Sequence, residues 1–364
     1  MNRRKKPLWQ RLTAAAMAAL MVLPGAAQAQ VRLPALGESA SSDLTVGAEK
    51  RLGDQIMLMG RRDPSYYDDP VLLDYLQSLW NPLVAAARQR GDITTDTDDA
   101  FAWEIFLMRE RSVNAFALPG GYVGVHLGLI ALTTARDQLA SVLAHELAHV
   151  TQRHIARSIA PQQTASMVAL AAMILGLIAA SQTGNADMAN AALASGQGAA
   201  AQGQLNFSRD MEREADRVGY GILGAAGFST AGMGAMFEKM DFATRLSDNG
   251  SFPYLRSHPL TVDRISEARS RALLDSAAPP GPPLQHALMQ MRARVLMDDS
   301  VLALQRLGGE TSSPLLVDRV AALYGGAMAA TLLNDAQRLG IEHRGKYCGE
   351  RRWQNRRALG NGHR

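Results

Sequence analysis

Cysteine is nearly missing from this chain: Cys348 is the only one in 364 residues. No intrachain disulfide can form, so an oxidising compartment is permitted but not used to staple the fold. Long apolar runs are missing too. LTAAAMAALMVL (12–23) and MVALAAMILGLIAA (167–180) reach 12 and 14 residues, short of the roughly 20 that a spanning helix needs. A lasting basic excess is the third absence. The formal charge is +4, but five of the 38 basic residues and none of the 34 acidic ones lie in 1–29, which leaves 33 against 34, or −1, without that stretch. Nucleic acid is therefore excluded as an expected partner.

Residues 1–29 read as a secretory signal. A basic opening, MNRRKKPLWQR, precedes the first apolar run, a Pro-Gly break and Ala27-Gln28-Ala29, so cleavage is expected after Ala29. No cysteine follows the run, which argues against a lipid anchor. The processed chain is expected to be exported to the periplasm without a transmembrane anchor. Charge is also scarce internally: Asp187 is the one charged residue from Ser158 to Ser208. An exposed loop ordinarily carries more, so 158–208 is expected to fold over something as a lid.

What is present divides the rest of the chain. Residues 30–47 form a polar leader, and 48–112 alternate amphipathic helical patterns with turn-rich joints such as DPSYYDDP. SVNAFALPGGYVGVHLGLIAL then has strand-like segments around Pro119-Gly120-Gly121, a β-hairpin leading into a helix. Within it Phe116 is expected to join Leu118 on the core face. Thr134 and Asp137 supply a T-x-x-D start signal for a long helix that stops before Pro161 and buries Leu139, Leu143, Leu147 and Val150. SAAPPGPP (276–283) sets a boundary between a domain at 30–275 and a helical region at 284–342. A basic tail occupies 343–364. One segment of the helical region, DRVAALYGGAMAATLLNDAQRLG, resembles the first helix of a tetratricopeptide repeat.

The chemistry sits in VLAHELAHVTQRH (142–154). Residues four apart on a helix differ by about 400°, so His145 and His149 stand one turn apart and can aim two nitrogens at one ion. Glu146 then lies beside the ion, placed to take a proton from water. His154 is about 500° from His149, or 140° net, and is read as a surface histidine. A catalytic zinc needs a third ligand and an open fourth position. SRDMEREADRVGYG (208–221) offers one, with Ser208 as cap and Glu212, Asp216 and Gly219 on one face. Glu212 is the expected ligand, Asp216 the expected partner of a ligating imidazole, and Gly219 the point of close helix approach. Glu214 points about 200° from Glu212. A solvated helix with surface ion pairs is the plainer alternative for both segments.

HELAH (145–149) and EREAD (212–216), preceded by NAFALPGGYVGVHLGLI (114–130) and followed by SHPLTVDRI (257–265), resemble the β-barrel assembly-enhancing protease family. These are HExxH zinc metallopeptidases related to the CAAX prenyl endopeptidases and the membrane-bound heat-shock peptidases. The resemblance covers roughly 45–275. It implies an α+β, mostly helical fold of the gluzincin type, with a small β-sheet and an HExxH helix, and one Zn2+ per chain on His145, His149 and Glu212 with Glu146 as base. It also implies that His258 can fill the open position as a switch or fourth ligand. Arg264 is expected to pair with a carboxylate near the site. The function implied is a zinc metalloendopeptidase cleaving unfolded or stalled polypeptides in assembly of outer-membrane β-barrel proteins. An extended substrate is expected to add along an edge strand at Gly121, Tyr122, Val123, Gly124 and Val125. In that branch a full tetratricopeptide array docks the outer-membrane assembly machinery, and only one repeat-like segment is found here. Two other classes are a chaperone-like assembly factor with latent protease activity and a non-catalytic protein with a closed structural zinc.

Overall fold

A computed structural model describes residues 44–158, 209–246, 252–273, 283–309 and 315–334. The signal segment, the expected lid beyond Ser158, the Ser208 cap, most of the Pro-rich linker and the basic tail lie outside these residues. The chain begins with α1 (Val46–Gly60), β1 (Tyr66–Tyr67), α2 (Pro70–Arg90) and α3 (Thr95–Ala100). Side chains fix the starts: Thr45 Oγ1 accepts from Ala48 N at 3.2 Å, and Asp69 Oδ1 from Leu72 N at 2.9 Å with Pro70 opening α2. Then come β2 (Glu104–Met108), β3 (Ala115–Leu118), β4 (Tyr122–His126) and α4 (Leu127–Leu132). The hairpin turn falls at Pro119-Gly120-Gly121 as expected, and both glycines have positive φ, 77° and 87°.

Strand β2 corrects the reading of 48–112 as helical. EIFLM is five residues with no polar alternation after Glu104, because both sheet faces are covered and a run buried on both sides carries no period. The strand order is β1-β2-β4-β3, with β2 parallel to β4 and the other pairs antiparallel. Ile105, Leu107, Val123 and Val125 face the larger core, built with α2 and the long central helix. Phe106, Met108, Leu118 and Tyr122 face a smaller one under α1, where Phe116 packs as expected.

The central helix is α5 (Arg136–Thr151), with every residue from Asp137 to Thr151 buried, the expected Leu139, Leu143, Leu147 and Val150 among them. Its start is not the capping box expected at Thr134. The N-cap is Ala135, and Gln138 Oε1 reaches back to Thr134 N at 2.9 Å instead. After α6 (His154–Ser158), α7 (Arg209–Ala225) and α8 (Ala231–Leu246) pack on α5. A short turn α9 (Tyr254–Ser257) and α10 (Val262–Ala272) follow.

Helices α11 (Pro283–Met297), α12 (Val301–Gly309) and α13 (Leu316–Leu332) pack on one another around Val295, Leu304 and Ala329. The break in composition near 280 is not a break in packing. Ala293 belongs to the larger core, and α11 closes the end of α4. The Ala131 carbonyl accepts from Gln290 at 3.2 Å and Arg294 at 3.4 Å, the Leu132 carbonyl from Lys239 at 3.3 Å, and the Thr133 carbonyl from His286 at 3.1 Å. Arg292 clamps Asp69 through two bonds of 2.8 and 2.7 Å. No described helix is long and apolar enough to cross a membrane.

Candidate metal centre

Helix α5 carries His145 and His149 one turn apart, and both are fully enclosed. Helix α7 lies against this turn because Gly219 has no side chain: a Cβ there would sit 2.9 Å from the Ala144 carbonyl oxygen. The close crossing brings Glu212 over the histidines, and the turn after α9 brings His258. His145, His149, Glu212 and His258 thus place four donor atoms within 4.8 Å of one another, all buried. The separations are 3.0 Å between the two Nε2 atoms of His145 and His149, 3.4 Å from His149 Nε2 to Glu212 Oε1, 3.5 Å from His145 Nε2 to Glu212 Oε2, 3.4 Å from His145 Nε2 to His258 Nδ1, and 2.9 Å from His258 Nδ1 to Glu212 Oε1. A tetrahedron with ligand bonds of about 2.0–2.1 Å has edges of about 3.4 Å. The residues fit a zinc-sized ion in both donor type and spacing.

Electrostatics partly prepare them. Burial alone would raise the Glu212 carboxyl, but His258, His145 and His149 outweigh it and keep the group ionised far below the usual carboxylate range. Burial holds His149 neutral, well below the usual imidazole value. For His145 burial also pulls down, yet Asp216 and Glu212 prevail and lift it to about 9. An incoming cation must displace that proton. Glu146 is pushed up by complete burial, with smaller opposing pulls from His258, His145 and the Ala117 backbone N–H. Neither Glu146 oxygen makes a well-formed hydrogen bond among the described residues, so the carboxylate has lone pairs to spare in a dry site. His258 Nε2 stands 3.7 Å from Glu146 Oε1, and the imidazole therefore lies between the donor cluster and this carboxylate.

The surroundings hold these groups in place. Asp216 Oδ1 approaches His145 Nδ1 to 2.9 Å, an ion-pair contact off the line of the ring N–H. Arg264, buried, grips Asp216 through Nε at 2.6 Å and Nη2 at 2.8 Å and reaches Glu212 Oε2 through Nη1 at 2.9 Å. The pairing expected of Arg264 is thus with both acidic residues at once. Tyr254 stacks on His258 with ring centroids 4.7 Å apart.

Residues 75–272 match Peptidase family M48. The chain belongs to that family. This M48 chain is similar to a β-barrel assembly-enhancing protease of Vibrio cholerae, 41% identical over 259 residues, which are 69% of this chain and 49% of that protein. The Escherichia coli protein of the same name is 34% identical over 258 residues, 71% of this chain and 50% of its own length. A mitochondrial metalloendopeptidase of Schizosaccharomyces pombe is 34% identical over 163 residues, 45% and 44% of the two chains. The chain spans about half the length of the first two relatives. The motifs quoted from the sequence thus pointed to the right family.

Two sequence expectations are overturned. His154 is not a surface residue of this M48 chain. It is fully buried, with Nδ1 2.9 Å from His149 Nδ1 and Nε2 3.2 Å from Glu214 Oε2. The angular argument presumed one continuous helix, but α5 stops at Thr151 and Arg153 takes a left-handed φ of 52°, which swings His154 back under the site. No glycine or proline marks this break. Glu214, set aside because it points away from Glu212, is the residue on the opposite face that meets His154. The second correction concerns Gly121–Val125: β4 is hydrogen-bonded to β2 on one side and β3 on the other, so it offers no edge. Among the described residues the edge on that side belongs to β3. Because the Asn114 carbonyl accepts from His126 N at 3.1 Å, antiparallel alternation turns the backbone groups of Phe116 and Leu118 toward β4 and those of Ala115 and Ala117 outward. Sequence reasoning also passed over Tyr254.

Proposed function

We propose that this chain is a zinc-dependent endopeptidase of the cell envelope that cleaves unfolded or misassembled polypeptides during assembly of outer-membrane β-barrel proteins. The observation that carries the reading is the set of four buried donors within 4.8 Å of one another, with Glu146 beside it lacking a well-formed hydrogen bond among the described residues. The names of the curated relatives support the barrel-assembly setting, and the N-terminal signal pattern supports a periplasmic location. Helices α11–α13 are the candidate tetratricopeptide-like region for docking on the assembly machinery.

His145, His149 and Glu212 would hold zinc, and Lewis acidity toward water and the scissile carbonyl is the chemistry that ion supplies. Glu146 accepts the proton of the attacking water, and its burial raises the basicity this task needs. Asp216, itself fixed by Arg264, orients the His145 ring. An extended polypeptide pairs with the outward backbone groups of β3, which run beside the motif helix, so that its peptide bonds are presented without demand for a particular side chain. His258 closes the site and must swing aside first.

The closed set also supports a second reading, a chaperone-like assembly factor whose proteolysis is latent. Zinc quantitation and cleavage of an unfolded β-barrel precursor test both. Wild type is expected to carry one zinc and Glu212→Ala much less. Glu146→Gln is expected to keep zinc and lose about 10²–10⁴-fold in turnover. A chain without stoichiometric zinc sinks the proposal. If Glu146→Gln still restores barrel assembly in cells that lack the wild-type protein, the assembly-factor reading wins.

A further inference from the structure

The two motif histidines are held from behind in different ways. His145 meets a carboxylate directly, whereas His149 meets a second imidazole that in turn meets a carboxylate: His149 Nδ1 to His154 Nδ1 is 2.9 Å, His154 Nε2 to Glu214 Oε2 is 3.2 Å, and Arg157 Nη1 holds the same Glu214 oxygen at 2.8 Å. The rings of His149 and His154 meet edge to face, with centroids 4.8 Å apart. His154 is fully buried and Glu214 is one-fifth exposed, so the acid end of the chain touches solvent and the imidazole link does not.

Proton bookkeeping allows one direction through this chain. His149 presents Nε2 to the donor cluster, and a neutral imidazole that ligates through Nε2 carries its hydrogen on Nδ1. That hydrogen needs an acceptor, so His154 Nδ1 must be bare and its hydrogen must sit on Nε2. Glu214, ionised beside Arg157, is acceptor-only and receives it. A carboxylate at the far end therefore dictates which nitrogen of His149 is free to bind.

We propose that His154 is a positioning residue, and that Glu214, His154 and His149 form a relay which locks His149 in its metal-binding tautomer. The inference rests on the zinc reading above. It assigns a job to the turn at Gln152-Arg153, which the left-handed Arg153 makes and without which His154 would lie on the far side of the helix. Ordinary partners of a ligating histidine are a carboxylate, a carbonyl or water. An interposed imidazole extends the reach of Glu214 to a ring that a carboxylate on the same face of α7 as Glu212 does not serve.

The test is a zinc titration of metal-free full-length chain against a chromophoric chelator, with the visible spectrum of the cobalt-substituted protein as second readout. His154→Leu is expected to weaken zinc binding about 10–100-fold, the usual effect of losing such a partner. His154→Asn, whose amide oxygen can take the place of the imidazole Nδ1 acceptor, is expected to recover most of that loss. Glu214→Gln, part-exposed and less disruptive to folding, is expected to bind several-fold more weakly, because an amide can donate as well as accept and no longer sets the direction. Both His154→Leu and Glu214→Gln are expected to shift the cobalt bands. A structural role alone predicts a lower melting temperature of the metal-free protein with unchanged zinc affinity and cobalt bands, and that result overturns the relay. So does His154→Asn binding as weakly as His154→Leu. Failure of the wild type to bind zinc defeats the zinc reading itself, and is told apart from tight wild-type binding that the variants share, which defeats only the relay.

Discussion

His258 contributes a donor atom to the cluster and places its other nitrogen 3.7 Å from Glu146, so in the proposed enzyme one side chain would occupy a position that an ion needs open and crowd the base as well. His258→Ala is expected to raise peptidase activity on an unfolded barrel precursor several-fold at equal zinc content. Unchanged activity removes His258 from control of the site. A different histidine contributes to acid sensitivity. Burial, weakly opposed by Ser112, drops His126 to about 4, so the folded chain keeps it neutral where the unfolded chain is protonated. Stability from this group is intact above about pH 6.5, falls as pH drops toward 4, and levels off below. The loss by pH 4.5 is on the order of 2–3 kcal/mol. Urea unfolding of wild type and His126→Asn at pH 7 and 4.5 checks it: the variant is expected to lose less on acidification. At this scale the sequence was readable where residue type, spacing and helical pattern agreed, as for His145, Glu146, His149 and Glu212. It was unreadable at His154, whose position depends on a backbone reversal at Arg153 that no local residue announces.

Edge strand β3 is the element on which the proposed pairing with an extended substrate depends. Its outward groups at Ala115 and Ala117 run beside α5, and the Ala117 N–H already pulls on Glu146. Proline at position 117 removes one outward donor, and with it the pull on Glu146, without breaking a bond to β4. Ala117→Pro is expected to keep zinc and fold but to lose about tenfold or more in kcat/KM on extended peptides; an unaltered value clears β3 of substrate pairing. The hairpin itself was legible, because Pro119-Gly120-Gly121 supplies the turn and two residues suited to positive φ. Which of its strands is the edge was not, since that depends on β2, which pairs with β4 in the register Glu104 opposite Tyr122, and pairing between separated segments leaves no local mark.

Across the whole molecule the four donors come from α5, α7 and the turn after α9, three segments that an ion would tie together. Ligand binding stabilises by about 4 kcal/mol when free ligand is about 1,000 times its Kd. For a core of this size each kcal/mol moves the melting temperature by roughly 2–4 °C. Exhaustive chelation is expected to lower Tm by on the order of 10 °C and abolish cleavage while leaving a cooperative transition, because the large apolar core persists without the ion. Complete unfolding on chelation supports a structural zinc instead. The motifs exposed the family, but no pattern showed that α11 returns to the peptidase core: His286, Gln290, Arg292 and Arg294 read in sequence as ordinary polar positions, and their partners Tyr75, Ala131, Thr133 and Asp69 lie far back in the chain.

That return sets a rule for anyone cutting the chain. A recombinant fragment stopped at residue 275 would hold the entire family match, 75–272, and every donor of the metal centre. It would also strip the Ala131 carbonyl of both its partners, leave Asp69 without its guanidinium, and uncover the flank of the core now filled by Ala293. An excision of the peptidase core therefore has to run at least through Met297, well past the proline-rich seam that invites the scissors, and one that also keeps α13 retains the Tyr324 partner of Arg292.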